Sequence, residues 1–337
     1  MKNSLGTTHS GGYHHNSVVY ALKDCSYRMI DTAKRYGVER QIGLAIKESG
    51  IPRSSIFLAT KLWPVDLGNS ATHMACKRSC ELLGTDYLDL YMIHLPVVPN
   101  WFTKPREIQE ETWRALEHLY DEGILFNSLS SIMMYNSLNL VNHIEFFSGS
   151  IKAIGVSNYS ENDLDELLEY CSIKPHVNQC EFHVCYNNKL LIEYCRDEKI
   201  VFTGYCPLAK GTILNEEVIN AIAKKHNKSA AQICIKWSVQ QGIPAIPKSR
   251  KFERIAENCQ IFDFLLDYED FNLLSTLPSK KVIRLHNLQE KFLYSDGYKL
   301  QEQPLSIPEL PNYINDFSGS DPSFLSTSLS NSTGLVA

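Results

Sequence analysis

Three short apolar runs in the first hundred residues each stop on a polar side chain. Met29-Ile30 stops at Asp31, Ile56-Phe57-Leu58-Ala59-Thr60 at Lys61, and Tyr87-Leu88-Asp89-Leu90-Tyr91-Met92-Ile93 at His94. Runs of this length between turn signals read as buried strands. Between them apolar residues return every three or four positions, the period of a helix with one buried face. Asn16 to Cys25, Val38 to Glu48 and Ser70 to Leu83 have that spacing, and Gly50 and Gly84 stand where such helices would stop.

The alternation continues along the chain. Leu5-Gly6-Thr7 predicts a first strand with almost nothing before it. A helix is predicted over 107–120, ended by Asp121-Glu122-Gly123. Further strands are predicted at 151–156, 176–179, 200–205 and 244–247. The helices predicted around them are 161–171, with Ser160 as N-cap, then 188–197, 216–226, 230–241, 252–260 and an outer one at 268–277. Eight strand–helix units in a row argue for a (β/α)8 TIM barrel, with the C-terminal strand ends on one rim. A doubly wound sheet is the competing architecture, but no G-x-G-x-x-G follows a strand.

Two stretches break the repeat. Residues 124–150 hold a single Asp, Glu, Lys or Arg (Glu145) and fill a place where a connection of about 2–6 residues is usual. They read as an insertion before the fifth strand, on the rim away from the chemistry. Residues 281–337 form a C-terminal extension, rich in Ser, Thr, Gly and Asn from 318 onward and expected to be disordered there.

Composition narrows the function. With 337 residues, 44% of them apolar, the chain can build one large domain, placed at 1–280. Its net charge of -5 and lack of a basic block argue against nucleic acid as a partner. Met1-Lys2-Asn3-Ser4 leads into no apolar run, so no signal peptide is expected. No run approaches the ~20 apolar residues of a membrane span, so no membrane partner is expected either. The ten cysteines are scattered without a C-x-x-C pair, as reduced thiols of a cytoplasmic protein would be. Cys76 and Cys80 share a helix face, but two thiols alone make a poor zinc site.

A barrel would gather Asp31, Tyr36, Lys61 and His94 on its rim. A free phenol has a pKa near about 10 and gives up its proton more readily when a cation stabilises the phenolate. Lys61 is placed to be that cation, Asp31 to hold Lys61, and His94 to orient a carbonyl oxygen. The set suits protonation of that oxygen as hydride reaches the carbon, and it requires no metal. Taken singly, each residue is ordinary: a paired rim charge, a packing tyrosine, a structural histidine.

IDTAKRYG (30–37), LATKLW (58–63) and LDLYMIHLP (88–96) together resemble three signature segments of the aldo-keto reductases. The resemblance continues through IKAIGVSNYS, VNQCEFH, GYCPLAKG and IPKSRKFERIAEN, in the family's order, and covers 5–123 and 151–277. It implies an NADP-dependent oxidoreductase that reduces aldehydes, and in a wider reading ketones, to alcohols. Asp31, Tyr36, Lys61 and His94 match the catalytic tetrad, with Tyr36 as general acid. Ser157, Asn158 and Gln179 match residues that hold the nicotinamide carboxamide, and Tyr205 the aromatic that stacks on its ring. Gly6, Thr7, Pro207 and Leu208 fall at further cofactor contacts. Lys248, Ser249 and Arg254 match the group that binds the adenosine 2′-phosphate, and Glu257 and Asn258 the adenine contacts. Cations beside a hydroxyl suit a phosphate dianion, which favours NADP(H) over NAD. The expected partner is a small-molecule carbonyl substrate, and the chain is expected to be a monomer. A non-catalytic relative that binds NADPH as a sensor or structural protein is the alternative.

The chain also departs from the family pattern. The usual N-terminal hairpin is truncated, and so short a first strand predicts a poorly paired neighbouring edge. The insertion is not a family feature. The loops after His94 and Tyr205 are short, which implies an open pocket, and no C-terminal specificity loop is recognisable in 281–337.

Overall fold

The computed structural model describes residues 4–7, 12–135 and 150–277, with side chains of 123–135 left aside. Eight parallel strands succeed one another around a barrel: β1 (Ser4–Gly6), β2 (Met29–Asp31), β3 (Phe57–Leu62), β4 (Leu90–Ile93), β5 (Ile154–Ser157), β6 (Val177–Glu181), β7 (Val201–Tyr205) and β8 (Ala245–Ile246). Helices α1 (His15–Lys23), α2 (Glu39–Ser49), α3 (Asn69–Leu83) and α4 (Pro105–Tyr135) follow the first four strands. Then come α5 (Glu161–Leu168), α6 (Lys189–Asp197), α7 (Glu217–His226), α8 (Ala230–Gln240), α9 (Phe252–Cys259) and α10 (Tyr268–Ser275). This is the (β/α)8 TIM barrel expected from the sequence.

The helix ends are where the sequence puts them for chemical reasons. Gly50 and Gly84 close α2 and α3 in the left-handed conformation, at φ 69° and 65°. Ser160 opens α5 with a reciprocal capping box to Asp163, and Ser229 does the same for α8 with Gln232.

The short first strand does not leave an edge open, contrary to expectation. Its three residues pair with Met29–Asp31 in register, and on the other side the Gly6 N–H donates to the Pro247 carbonyl at 2.9 Å. The Ser4 hydroxyl reaches the Ala245 carbonyl. Three residues suffice because the strands on either side, β2 and β8, are themselves only three and two residues long.

The fourth strand is shorter than its apolar run. Asp89 interrupts it, leaving Tyr87–Leu88 paired with Ser150–Ile151 in a separate two-stranded sheet. Its carboxylate accepts from the Arg53 guanidinium at 2.8 Å and from the Leu58 N–H at 3.0 Å. Arg53 also donates to the carbonyls of Ile56 and Tyr87. A charged residue inside an apolar run is thus buried against a partner rather than exposed.

Gly123 does not end α4, which runs on to Tyr135. A single glycine in a helix costs only about 1 kcal/mol, and the residues after it continue the helix. The segment read as an insertion from 124 therefore begins inside this helix. The rest of it, and the 281–337 extension, lie outside the described residues.

Sheet phase aims the polar strand ends inward. Ala59, Leu90 and Met92 form one small buried cluster with Phe57, Ala153 and Val177 along the barrel axis. Asp31 is in register with Ala59, Lys61 with Met92, and Met92 with Gly155. Side chains two apart share a face. Lys61 follows Ala59, His94 follows Met92, Ser157 follows Gly155 and Gln179 follows Val177 at that spacing, so all turn toward the barrel mouth.

Candidate active site

Lys61 and Asp31 lie at the centre of the mouth. The Lys61 ammonium donates to Asp31 Oδ1 at 2.7 Å, to Asp31 Oδ2 at 2.8 Å and to the Thr32 carbonyl at 3.0 Å. Their side chains are 1% and 5% exposed. Asp31 Oδ2 also accepts from Gln179 Nε2 at 2.8 Å. Burial pulls the Lys61 amine below the ordinary lysine range, and the Asp31 charge opposes that shift.

Tyr36 closes a single 3-10 turn, Lys34–Tyr36, that Gly37 ends in the left-handed region. An ion pair of 2.6 Å from Lys34 to Asp66 ties this turn to the loop after β3. The Lys61 ammonium stands 5.6 Å from the centre of the Tyr36 ring. The His94 imidazole meets that ring edge-on, with centroids 5.8 Å apart. Trp63 backs His94 from another side at 5.2 Å, also edge-on. The mouth thus brings all four tetrad candidates together.

One expectation is corrected. Lys61 was expected to make Tyr36 more acidic. Instead burial pushes the Tyr36 phenol well up, and the Asp31 charge adds to that shift. Burial is the larger of these causes, and both favour the protonated phenol.

A second chain of hydrogen bonds runs from this pair across the mouth. The Ser157 hydroxyl donates to the Gln179 carbonyl at 2.7 Å. Asn158 Nδ2 donates to Ser157 Oγ and to the His94 carbonyl, both at 3.0 Å. The Tyr205 hydroxyl donates to Asn158 Oδ1 at 2.8 Å. Asn158 holds this position at φ 64°, a left-handed conformation that asparagine tolerates better than most residues. Ser157, Asn158, Gln179 and Tyr205 are thus one connected set.

The remaining residues spread over the rim. Pro207 is buried and Leu208 half-buried in the loop after β7, whose Cys206 also has positive φ. Gly6 and Thr7 line one recess with Lys248, Ser249 and Arg250. Thr7 Oγ1 donates to the Asp31 carbonyl at 2.8 Å, which links that recess to the central pair. Lys248 donates to the Gly12 carbonyl at 3.1 Å, and burial and the Arg250 charge both pull its amine down. Two cations side by side with the Ser249 hydroxyl fit a phosphate dianion, whose charge would relieve their repulsion. Arg254 is exposed on α9. Glu257 engages the Ser229 hydroxyl at the start of α8. Asn258 is buried and lines a cavity with Tyr27, Pro244 and Pro247.

Four residues escaped the sequence reading although they lie inside its motifs. Trp63 ends LATKLW, Arg250 sits in IPKSRK, and Glu181 and His183 lie in VNQCEFH. Glu181 and His183 form a sealed pair, with Oε1 and Nε2 3.1 Å apart. Glu181 is in register with Tyr205, and its charge, after burial, raises the Tyr205 phenol. Only their departure from apolar alternation at a strand end signalled them.

Fold and site together define a parallel barrel with a lysine–aspartate–tyrosine–histidine cluster in its C-terminal mouth. The chain belongs to the Aldo/keto reductase family, whose sequence profile matches residues 5–128 and 138–277. It is 47% identical over 307 residues to an uncharacterized oxidoreductase of Caenorhabditis elegans, covering 90% of this chain and 87% of that one. The family match ends at residue 277, before nine-tenths of the chain is reached, so this similarity continues into the C-terminal extension. It is 41% identical over 261 residues to a glyoxal reductase of Bacillus subtilis, covering 77% and 82% of the two chains. A crystal structure of a Bombyx mori aldo-keto reductase in complex with NADP superposes with a TM-score of 0.65 at 26% identity, covering 84% and 91%. Among the described residues no helix is long and apolar enough to cross a membrane.

Proposed function

We propose that this chain is an NADPH-dependent reductase of small aldehydes, with Asp31, Tyr36, Lys61 and His94 as its catalytic residues. The observation that carries this reading is the buried bidentate Lys61–Asp31 pair with the Tyr36 ring over its ammonium. The glyoxal reductase relative motivates 1,2-dicarbonyls as the first substrates to try, and the NADP complex of another relative motivates the cofactor. Lys248, Ser249 and Arg250 would hold the 2′-phosphate, with Arg254 beside them on α9. Ser157, Asn158, Gln179 and Tyr205 would hold the nicotinamide end.

NADPH bound in this mouth supplies the hydride. The chain's own part is at the oxygen. His94 orients the carbonyl, and the Tyr36 O–H gives its proton as negative charge builds there, so that aldehyde plus hydride plus proton becomes alcohol. The Tyr36 phenolate then takes a proton back from solvent. Its raised pKa suits this order, because the proton leaves only for a base as strong as a forming alkoxide. The enzyme is proposed to work as a monomer in the reducing cytoplasm, in keeping with its ten free thiols.

The test is a kinetic screen of the full chain with small aldehydes and dicarbonyls, followed by loss of reduced-nicotinamide absorbance. Turnover with NADPH is expected, and Tyr36→Phe should lower it by roughly 100-fold or more while sparing NADPH binding. Unchanged turnover in Tyr36→Phe would remove the assigned acid. NADPH binding with no turnover of any aldehyde would identify the non-catalytic alternative.

A further inference from the structure

We propose a two-histidine chelate for a zinc- or nickel-class ion on the outer wall of the barrel, between α3 and α4, made by His73 and His118 with water completing the coordination. His73 Nε2 and His118 Nδ1 face each other 3.3 Å apart, from two helices that pack together. Two ligand nitrogens at about 2.05 Å from a tetrahedral ion are about 3.3 Å apart, so the pair already has the bite of a chelate. The ring centres are 5.4 Å apart and the planes inclined at 60°, which leaves both rings edge-on to the gap between them.

The protonation state suits a ligand. His73 Nδ1 lies 2.9 Å from the Asn69 carbonyl, one turn back on α3. A carbonyl can only accept, so the proton sits on Nδ1 and the lone pair of the neutral ring sits on Nε2, aimed at His118. A backbone carbonyl that fixes the tautomer in this way is a recurrent support for metal-bound histidine. Glu122 is one turn on from His118, with Oε1 3.6 Å from His118 Nδ1, and places a negative charge beside that ring. Without an ion the two rings share a single hydrogen bond.

The site is apart from the barrel mouth and open to solvent: the His118 side chain is 63% exposed and Glu122 30%. An ion there would clamp α3 to α4. A second cluster, His226, Asp267 and Asp270, has three ligand atoms within 4.8 Å of one another. There the Lys225 ammonium already lies between the carboxylates, at 2.6 and 2.9 Å, so that cluster serves as the control.

The experiment is calorimetric titration of the tag-free full chain with Zn2+ and, separately, Ni2+, with thermal melts in parallel. One ion per chain is expected to bind with micromolar affinity, and the melting temperature should rise with ion concentration and return on adding a chelator. His73→Gln and His118→Gln should each weaken binding at least tenfold, while His226→Gln leaves it unchanged. All three should keep the aldehyde turnover of the unsubstituted chain. Absence of binding, or binding that survives both His73→Gln and His118→Gln, overturns the proposal.

Discussion

Lys61 Nζ lies 2.7 and 2.8 Å from the two carboxylate oxygens of Asp31, and solvent reaches almost none of either side chain. A buried pair of this kind adds little net stability, but removing one partner strands the other. Lys61→Met leaves the Asp31 carboxylate facing only the Gln179 amide. Asp31→Asn leaves an ammonium with the Thr32 carbonyl and a neutral amide. Each variant is expected to lose about 3–5 kcal/mol in a urea melt. The double variant should lose less than the sum, because neither charge is then left alone. Additive losses would mean that the two groups act independently. Turnover should fall to background in all three.

The backbone of Asn158 tests whether the mouth carries strain for function. Its φ of 64° suits Gly or Asn, whereas alanine pays for its Cβ there. Asn158→Gly and Asn158→Ala both delete the bonds to the His94 carbonyl, Ser157 Oγ and the Tyr205 hydroxyl. Both should weaken NADPH binding to the same degree. Asn158→Ala should be less stable than Asn158→Gly by about 1 kcal/mol. Equal melts for the two would show that the left-handed conformation is not held in the folded protein.

The pH dependence of stability follows from buried phenols. Burial, the largest cause at each, raises Tyr27, Tyr36, Tyr91, Tyr159 and Tyr205 above the ordinary tyrosine range. A raised folded-state pKa means that the folded chain holds these protons more tightly than the unfolded one. The stability from this source is complete below about pH 10 and falls as pH climbs toward the folded values. Ultraviolet titration should therefore show the fully buried three, Tyr27, Tyr91 and Tyr159, ionising only together with unfolding. Their separate ionisation near pH 10 in the folded protein would contradict their burial.

The strands were legible because each parallel strand is buried on both faces and so writes an unbroken apolar run. The polar residue that stops each run, as at Asp31, Lys61 and His94, then marks the rim. Asp89 shows the limit of that rule: it breaks the run from within, and only the distant Arg53 explains why it stays buried. Gly123 was misread as a stop because a glycine ends a helix only where the backbone turns left-handed, which letters do not record. The direction of the Tyr36 shift was hidden for a similar reason: it is set first by how far the folded mouth desolvates the phenol, which letters do not record.

Gly155 controls how closely β4, β5 and β6 approach. A Cβ built there would come within 2.7 Å of the Val177 carbonyl and 3.2 Å of Met92 Cγ. The first neighbour is backbone and cannot swing away, so Gly155→Ala must push strands apart. Overpacking of this kind costs about 1–3 kcal/mol. Met92 is two residues before His94, and Gly155 two before Ser157, so the displacement should also reach the mouth. The variant is expected to melt earlier and to turn over more slowly.

Lys248 is the residue proposed to distinguish NADPH from NADH. Its ammonium stands in one recess with Arg250 and Ser249, and that recess links through Thr7 to the Lys61–Asp31 pair. Lys248→Met removes one of the cations proposed to meet the 2′-phosphate and nothing that an NADH molecule would need. A charge-assisted contact of this kind contributes about 1.5–3 kcal/mol, so KM for NADPH should rise by roughly ten- to a hundredfold. KM for NADH should hardly move, and the Tyr36-dependent step should keep its kcat. An equal loss with both cofactors would place the phosphate elsewhere. The exposed guanidinium of Arg254 would then be the next residue to substitute.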